Sequence, residues 1–267
     1  GAEWETACAN FPDRNRKFLP RCRTGSGMEV SMASTILILS NSDSGLYDFR
    51  KEVLAELLSR GYRVLVSVPN TGYEGRIKAL GCTLIPTSFE RRGMNPWKDL
   101  KLLLFYRSLL RKYRPKAVLT YTIKPNIYGA LAARMARIPC LANITGLGTT
   151  LEHGGPLQRL ILLMYRTALK KAKCVFFQNE GNRDFLERKG CIAGRARVIP
   201  GSGVNLQEHC AEEYPQMEEK TAFVSIMRLM KDKGIDELLY AAERIHARHP
   251  GTVFQLLGAY EEESRAH

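Results

Sequence analysis

The sequence predicts an α/β protein with one doubly wound parallel sheet domain and the first part of a second. Short apolar runs of strand length alternate with longer segments whose apolar residues recur at helical spacing. This alternation is the pattern of βαβ units and parallel sheets. A polar stretch at residues 207–220 interrupts it, and a new series then begins. With 267 residues, 45% of them hydrophobic, the chain is long enough for one large domain and part of another.

The first βαβ unit follows a segment without hydrophobic periodicity. Ile36–Leu39 is predicted to be a strand, because four apolar residues are bounded by polar ones. Ser40–Gly45 forms the turn after it, and a helix from about Leu46 to Ser59 carries one apolar face and ends at Gly61. Val64–Val68 is the next strand. The unit predicts parallel pairing with a right-handed crossover.

The alternation continues through both predicted domains. In the first domain it gives helix Glu74–Leu80, strand Thr83–Pro86, helix Asn95–Tyr113, strand Ala117–Tyr121, helix Asn126–Ala136, strand Cys140–Ile144, helix Pro156–Lys171, strand Cys174–Gln178, helix Glu180–Lys189 and strand Arg197–Ile199. The second series has strand 223–227, helix 235–248 and strand Val253–Gly258. We predict a first domain at 33–205, an incomplete second domain at 206–267, and a disordered N-terminal extension at 1–31 that is not a signal peptide.

Composition indicates a cytoplasmic protein with an anionic partner. The net charge of +13 favours a nucleotide diphosphate, lipid headgroups or nucleic acid as that partner. No helix-turn-helix, zinc-finger or RNP-like motif is present, so nucleic acid is not a predicted partner. No apolar stretch approaches the roughly 18 residues of a spanning helix. The seven cysteines lack C-x-x-C spacing, which favours a reducing compartment.

A cationic turn in the second series is a candidate diphosphate site. In Phe223–Gly234, FVSIMRLMKDKG, a buried-strand pattern leads into a basic turn and a helix start. Arg228 offers a rigid fork of donors and Lys233 a point charge, while Gly234 lets backbone approach a ligand at the positive helix terminus. Ligands of open α/β sheets bind at such turns. The alternative is a solvated basic loop.

This turn and the segments before it resemble the family 4 glycosyltransferases, retaining enzymes of the GT-B fold with two Rossmann-like domains. R-x4-K-G, preceded by Gly201–Asn205, is similar to the opening of their nucleotide-binding domain. Upstream, the chain resembles the branch that extends polyprenyl-diphosphate-linked sugars, such as N-acetylgalactosaminyl and galacturonosyl transferases. The segments concerned are, in order, SNSDSGLYDFRKEVLAELLSRGYRVLVSVP, NPWKDL, KPNIYGALAARMARIP, TGLG and QNEGNRDF. The resemblance runs from about Thr35 to the last residues.

The resemblance implies transfer of a sugar from a nucleotide donor, UDP, to a lipid-linked saccharide in bacterial glycan, capsule or exopolysaccharide synthesis. It implies no cofactor, because the nucleotide sugar is a substrate. We also predict no metal, since the five histidines lack metal-ligand spacing and no Asp-x-Asp occurs in the turns of the first domain. The family's E-x7-E segment, which holds the donor's sugar and ribose, is not found in the 267 residues, so we expect no sugar transfer by this chain alone.

The resemblance also assigns roles to residues that follow predicted strands. Arg228 and Lys233 are predicted catalytic residues that stabilise the leaving diphosphate. Thr145, the third, stands where many relatives have His or Glu, and a threonine cannot act as a base near neutral pH, so the base stays open. Predicted substrate contacts are Ser44, Gly45, Lys124, Gly146, Gly148, Glu180, Gly203 and Asn205.

Several of these residues have a structural alternative. Asp43, Ser44 and Gly45 fit a plain βα turn with a polar helix cap. Lys124 fits an exposed turn lysine. Glu180 fits a helix N-terminus capped by Asn179, where a carboxylate is favourable without any function.

Two other function classes stay open. A GT-B-like nucleotide-sugar epimerase would share the fold, but it would need carboxylates and histidines in the first-domain turns that the sequence does not show. A nonenzymatic basic module that binds membrane or nucleic acid would explain the charge. It would not explain two βαβ series flanking a phosphate-type turn.

A possible membrane stripe lies on the predicted helix at 156–173. Four cations fall within a narrow arc of this helix, namely Arg159, Arg166, Lys170 and Lys173. Its apolar residues cluster away from that arc, namely Leu157, Leu160, Ile161, Met164 and Ala168. The stripe predicts an anionic membrane surface as a partner and a peripheral location on the inner face of the plasma membrane. A solvated outer face is the alternative.

Overall fold

A computed structural model describes residues 34–87, 95–148, 151, 154–213 and 220–258. The predicted extension at 1–31 lies outside this range. The described residues divide into two compact units, with the division between residues 203 and 204. This division falls close to the predicted domain boundary at residue 205.

Strands and helices alternate in the described part of the first unit. The strands are β1 (Thr35–Leu39), β2 (Arg63–Val68), β3 (Thr83–Pro86), β4 (Ala117–Tyr121), β5 (Cys140–Ile144), β6 (Cys174–Phe177) and β7 (Arg195–Val198). The helices are α1 (Asp43–Ser59), α2 (Glu74–Ala79), α3 (Pro96–Tyr113), α4 (Ala130–Ala136), α5 (Pro156–Leu169) and α6 (Glu180–Arg188). The predicted α/β alternation is therefore confirmed for this unit.

All seven strands pair in parallel in the order β3-β2-β1-β4-β5-β6-β7. The order reverses direction between β1 and β4, where Leu39 lies opposite Ser67 of β2 on one side and Thr120 of β4 on the other. Ligands of doubly wound sheets bind at the carboxyl ends of the strands near such a reversal. The topology thus marks one edge of the sheet as the place to look for a site.

The core lies on both faces of the sheet. Leu37 and Leu39 pack in a cluster with α3, α4 and α5. Ile36 and Ile38 point the other way, into a cluster with α1 and α2. Burial on both faces explains why the strands read as nearly continuous apolar runs.

Two helix starts differ from the sequence prediction. The first helix begins at Asp43, not Leu46, because the Ser42 hydroxyl accepts a hydrogen bond from the Gly45 amide and caps the helix three residues earlier. The helix predicted at 126–136 opens with a π-helical turn, Pro125–Gly129, before α4. A Cβ at Gly129 would lie 2.8 Å from the Leu39 side chain, so only glycine lets this turn pack so closely on β1.

Several strand boundaries also differ by one or two residues, and the reason is clearest at β7. The last strand of the first unit spans Arg195–Val198, where the apolar pattern predicts 197–199. Its first residue, Arg195, pairs with Cys174 of β6 although it is polar and exposed. Strand pairing, and not the apolar pattern, sets this boundary.

The second unit contains β8 (Thr221–Ile226), α7 (Ile235–Arg248) and β9 (Thr252–Leu257). Its two described strands pair in parallel, and the rings of Phe223 and Phe254 stack with centroids 4.8 Å apart. The prediction of a buried strand is wrong for β8, since Ile226 is 82% exposed. Among the described residues of this unit, apolar side chains on both strands, such as Val224 and Leu257, stay in contact with solvent.

Candidate functional site

The predicted site residues of the first unit follow its parallel strands and therefore lie at the carboxyl edge of the sheet. They are Ser44 and Gly45 after β1, Lys124 after β4, Thr145, Gly146 and Gly148 after β5, Glu180 after β6, and Gly203 after β7. Asn205, Arg228 and Lys233 belong to the second unit. The first group shares one edge, as expected for ligand contacts in an open α/β sheet.

Ser44 and Gly45 lie in the first turn of α1 and not in a loop before it. The Ser42 hydroxyl accepts from the Gly45 amide at 3.0 Å and lies 3.2 Å from the Ser44 hydroxyl. A Cβ at Gly45 would lie 3.1 Å from that Ser42 oxygen, so glycine permits the close cap. Positive helix ends of this kind attract anions, which agrees with the predicted role and equally with a plain capped turn.

Asp43 ties the loop after β2 to the start of α1. Its buried carboxylate accepts hydrogen bonds from the Thr71 amide at 2.8 Å, the Thr71 hydroxyl, and the Tyr73 amide at 3.2 Å. Burial raises its pKa, but these bonds and one from the Ser44 amide outweigh burial, and the pKa is lowered overall. Asp43 is therefore an ionised anchor between two segments of the carboxyl edge.

A small cavity opens at the carboxyl ends of β1 to β4. Its polar lining comes from Ser40, Asn41, Thr87 and Lys124, with Tyr106 among its apolar neighbours. The side-chain oxygen of Asn41 is buried and has no hydrogen-bond partner among the described residues. A buried polar atom without a partner is unfavourable, so this oxygen is suited to accept from a hydroxyl or amide of a bound group.

Lys124 is not the exposed turn lysine that the structural alternative predicts. Its ammonium lies 2.9 Å from the Asp99 carboxylate, and the two side chains are 17% and 9% exposed. Burial and the neighbouring Asp99 carboxylate raise the pKa of Tyr128. Lys124 is thus a fixed, mostly buried cation on the cavity wall. Its contact with the acceptor stays a prediction.

The loop after β5 presents Thr145 and Gly146 to solvent, while Leu147 is buried beneath them. Gly148 has φ +74°, in the region that favours glycine, and its carbonyl accepts from the Leu151 amide at 3.1 Å. When the Gln178 amide takes the orientation that satisfies both of its neighbours, its nitrogen donates to the carbonyl of Thr145 at 3.2 Å. The loop is therefore exposed at its start and held by few polar contacts.

Glu180 and Gly203 carry no contact that singles them out as ligand-binding. Glu180 is the exposed first residue of α6, whose cap is Asn179, the acceptor of a 2.8 Å hydrogen bond from the Asn182 amide. This arrangement fits the structural alternative for Glu180. Gly203 is exposed with φ +78°, at the end of the first unit.

In the second unit, the cationic turn has the conformation that its sequence indicates. Arg228 and Lys233 are exposed, and Lys233 closes a 3₁₀ turn with a 3.0 Å bond to the Met230 carbonyl. Gly234, with φ +75°, follows as the residue before α7. The Asn205 side chain accepts from the Gln207 amide at 3.0 Å, so it stabilises a turn. Lys233 therefore lies at the start of a helix, whereas Arg228 lies just after the end of β8.

Arg50, which is not among the predicted site residues, lies on α1 and is only 6% exposed. Its guanidinium lies over the Tyr121 ring, 5.3 Å from the centroid, and donates to the Phe49 carbonyl at 2.6 Å. Burial raises the pKa of Tyr121 to about 12, although Arg50 acts in the opposite direction. Asn143, opposite Tyr121 in β5, has a buried amide without a partner among the described residues. No local sequence pattern distinguishes these residues from core positions.

The fold and the positions of the predicted site residues indicate a class of protein. A seven-stranded parallel sheet with polar residues at its carboxyl edge precedes a second α/β unit with a cationic strand-to-helix turn. This is the GT-B class. Residues 46–201 match the model of the glycosyl transferase 4-like domain, and the chain belongs to this family. Among the described residues, no group of three or more His, Cys, Asp or Glu side chains could hold a metal ion.

Known proteins similar to the chain share its fold. The N,N'-diacetylbacillosaminyl-diphospho-undecaprenol alpha-1,3-N-acetylgalactosaminyltransferase of Campylobacter jejuni is 27% identical over 241 residues, 84% of this chain and 63% of that protein. The crystal structure of Anabaena Alr3699/HepE with UDP and glucose has TM-score 0.62 and 16% identity, covering 87% of this chain and 63% of that one. Sucrose-phosphate synthase of Thermosynechococcus elongatus has a TM-score of 0.62 and 17% identity, and the match covers 86% of this chain and 63% of that one. The structural likeness confirms the predicted GT-B fold, and the chain spans about 63% of these proteins' length.

Proposed function

We propose that the protein is a retaining glycosyltransferase that moves a sugar from a UDP-linked donor to a saccharide carried on a polyprenyl diphosphate. The observation that carries this proposal is the 27% identity, over 84% of the chain, with a relative named for N-acetylgalactosaminyl transfer to a diphospho-undecaprenol-linked sugar. The Anabaena protein crystallised with UDP and glucose supports a UDP donor. Such a reaction belongs to bacterial glycan, capsule or exopolysaccharide synthesis.

In this proposal the first unit binds the acceptor at the carboxyl edge of its sheet. The cavity beside Asn41 and Lys124 offers a buried acceptor atom and a fixed cation next to apolar side chains. The cavity has room for about one water-sized group, so it would receive a single hydroxyl of a sugar that lies along the edge of the sheet. Gly146 and Gly148 would admit a ligand close to the backbone of the loop after β5.

The cationic turn of the second unit is proposed to bind the donor diphosphate. The bond between the sugar's anomeric carbon and the diphosphate oxygen breaks, and its electron pair leaves with the nucleotide. Arg228 and Lys233 stabilise that charge. The acceptor hydroxyl oxygen bonds to the same face of the anomeric carbon, and its proton passes to the departing diphosphate. No metal or cofactor takes part in this scheme.

The proposed membrane surface is formed by α3 and α5. On α3, Trp97, Leu100 and Leu104 are exposed at helical spacing, with Trp97 74% exposed. The apolar arc predicted on α5 is divided by the core, because Ala168 is buried and Ile161 and Met164 pack inward. Leu157, Leu160 and Leu163 stay exposed. Exposed Trp and Leu beside cations are typical of helices that lie on a bilayer.

Charge distribution supports the same surface. Residues 95–173 contain fifteen Lys and Arg and two acidic residues, which accounts for the whole net charge of +13. Asp99 is the one acidic residue of α3, α4 and α5, and it is buried against Lys124. No described helix has the length and apolar character to cross a bilayer. We propose peripheral contact with anionic lipids on the inner face of the plasma membrane.

The proposal is tested by sugar transfer with the full natural protein. UDP-GalNAc, UDP-GlcNAc and UDP-glucose are each incubated with a short polyprenyl-diphosphate-linked monosaccharide, with and without EDTA. We expect an extended, α-linked product, detected by mass spectrometry and by the anomeric coupling constant, that is unaffected by EDTA. Epimerised nucleotide sugar in reactions without acceptor would identify an epimerase instead, and a β-linked product would exclude retention.

A further inference from the structure

Arg50 is a buried cation for which the described part of the chain supplies no carboxylate partner. Burial of a charge is unfavourable unless hydrogen bonds and favourable contacts replace its hydration. Three groups do this for Arg50: the Phe49 carbonyl, the face of the Tyr121 ring and the side chain of Gln178. A planar guanidinium can bond two acceptors and stack on a ring at once, which a lysine ammonium cannot.

Gln178 connects this cation to the loop after β5. Its amide oxygen accepts from the Arg50 Nη2 atom at 3.0 Å, and its amide nitrogen donates to the Thr145 carbonyl at 3.2 Å. In the opposite amide orientation, the amide nitrogen would face the Arg50 donor and the amide oxygen would face the Thr145 carbonyl, and neither hydrogen bond could form. Arg50 therefore fixes the orientation of Gln178, and Gln178 in turn holds the backbone of Thr145.

We propose that Arg50 and Gln178 are positioning residues that hold the Thr145–Gly148 loop at the carboxyl edge of the sheet. The connection joins the helix that begins with Ser44 and Gly45 to the ends of β5 and β6. Three segments with predicted substrate contacts thus depend on one buried guanidinium. The inference rests on the proposed function only in taking this loop as substrate-binding.

The test compares amide hydrogen exchange in the 267-residue chain and in Gln178→Glu. The substituted carboxylate still accepts from Arg50, now as an ion pair, but it presents an oxygen instead of a donor to the Thr145 carbonyl. We expect exchange of the Leu151 amide, which donates to the Gly148 carbonyl, to rise roughly three- to tenfold when the loop loses one hydrogen bond. The melting temperature should stay unchanged or increase. If Gln178 only stabilised the fold, the substitution would lower the melting temperature and raise the loop exchange together.

Two further variants complete the test. Arg50→Lys keeps the charge but loses the forked donor geometry of the guanidinium, so it should also raise exchange of the Leu151 amide. Gln255→Glu, on an exposed position of β9, makes the same charge change elsewhere and should leave the loop unaffected. Unchanged loop exchange in both Gln178→Glu and Arg50→Lys would overturn the proposal, as would a uniform rise across β4, β5 and β6. The readout requires no sugar transfer, so this proposal and the proposed function fail separately.

Discussion

The ammonium of Lys124 lies 2.9 Å from the carboxylate of Asp99, which joins the segment after β4 to the first turn of α3. The two residues are 25 positions apart in the chain. The pair removes the single acidic charge of α3 from the surface and fixes a cation beside the cavity. One contact therefore shapes both the proposed membrane surface and the proposed acceptor site.

Removing Lys124 should destabilise the fold more than removing an exposed lysine. Lys124→Met leaves the Asp99 carboxylate buried without its cation, and we expect the free energy of unfolding to fall by about 2 to 4 kcal/mol. Urea denaturation measures this, with Lys101→Met on the exposed side of α3 as the control. Adding Asp99→Asn to Lys124→Met should recover part of the loss. Equal effects of Lys124→Met and Lys101→Met would contradict the buried pair.

Asp43 should make stability depend on pH in the acid range. The pKa of Asp43 is lowered in the folded state from its ordinary value of 3.8, so Asp43 stabilises the fold above its unfolded pKa, and this contribution is lost as the pH falls through the folded pKa. At pH 7, Asp43→Asn should lower the free energy of unfolding by about 1 to 2 kcal/mol. The difference from wild type should shrink below about pH 4. Asp48→Asn, exposed on the same helix, is the control, and an equal deficit at pH 7 and pH 3 would argue against the anchor.

The donor site is tested at the cationic turn in the full natural protein. Arg228→Ala with Lys233→Ala removes two charged hydrogen-bonding groups, each worth about 1.5 to 3 kcal/mol. Turnover should fall roughly a hundredfold or more. Lys231→Ala removes a neighbouring exposed cation and should have a smaller effect. Near-normal turnover of the double variant would reject the assignment.

Membrane contact is tested with vesicles of different charge. Trp97→Ser with Leu100→Ser and Leu104→Ser should weaken sedimentation with vesicles that contain anionic lipid, and Lys101→Glu should weaken it by about 1 kcal/mol or more. Phe49→Ser is the control, because Phe49 is 59% exposed on α1, across the sheet from α3. Equal binding to neutral vesicles, or an equal loss in Phe49→Ser, would exclude this surface.

Tryptophan fluorescence gives a second readout of the same surface. The chain has two tryptophans, Trp4 and Trp97, so Trp4→Phe assigns the emission to Trp97. A shift to shorter wavelength with anionic vesicles is expected, since the indole ring would enter the bilayer interface. An unchanged spectrum under binding conditions would show that α3 is not the contacting element.

The sequence by itself determined the fold class and most of the elements. Apolar runs such as Ala117–Tyr121 are local signals, and burial on both faces of a parallel sheet makes them unmistakable. The helical spacing of apolar residues is also a local signal, and it located α3 and α5. The segments that resemble the family, up to the Arg228–Gly234 turn, also indicated the family, because their order along the chain is a property of the sequence alone.

The tertiary structure alone decided which side chains meet. Asp43 contacts Thr71, Lys124 contacts Asp99 and Arg50 contacts Gln178. These partners are far apart in the chain, and the strand order β3-β2-β1-β4-β5-β6-β7 brings them together at the carboxyl edge of the sheet. The spacing of apolar residues could not show that some residues of the predicted apolar arc on α5 are buried in the core. It also could not show that Trp97 on α3 is exposed. Hydrophobic patterns and capping act over a few residues, whereas these contacts depend on the strand order that the whole sheet adopts.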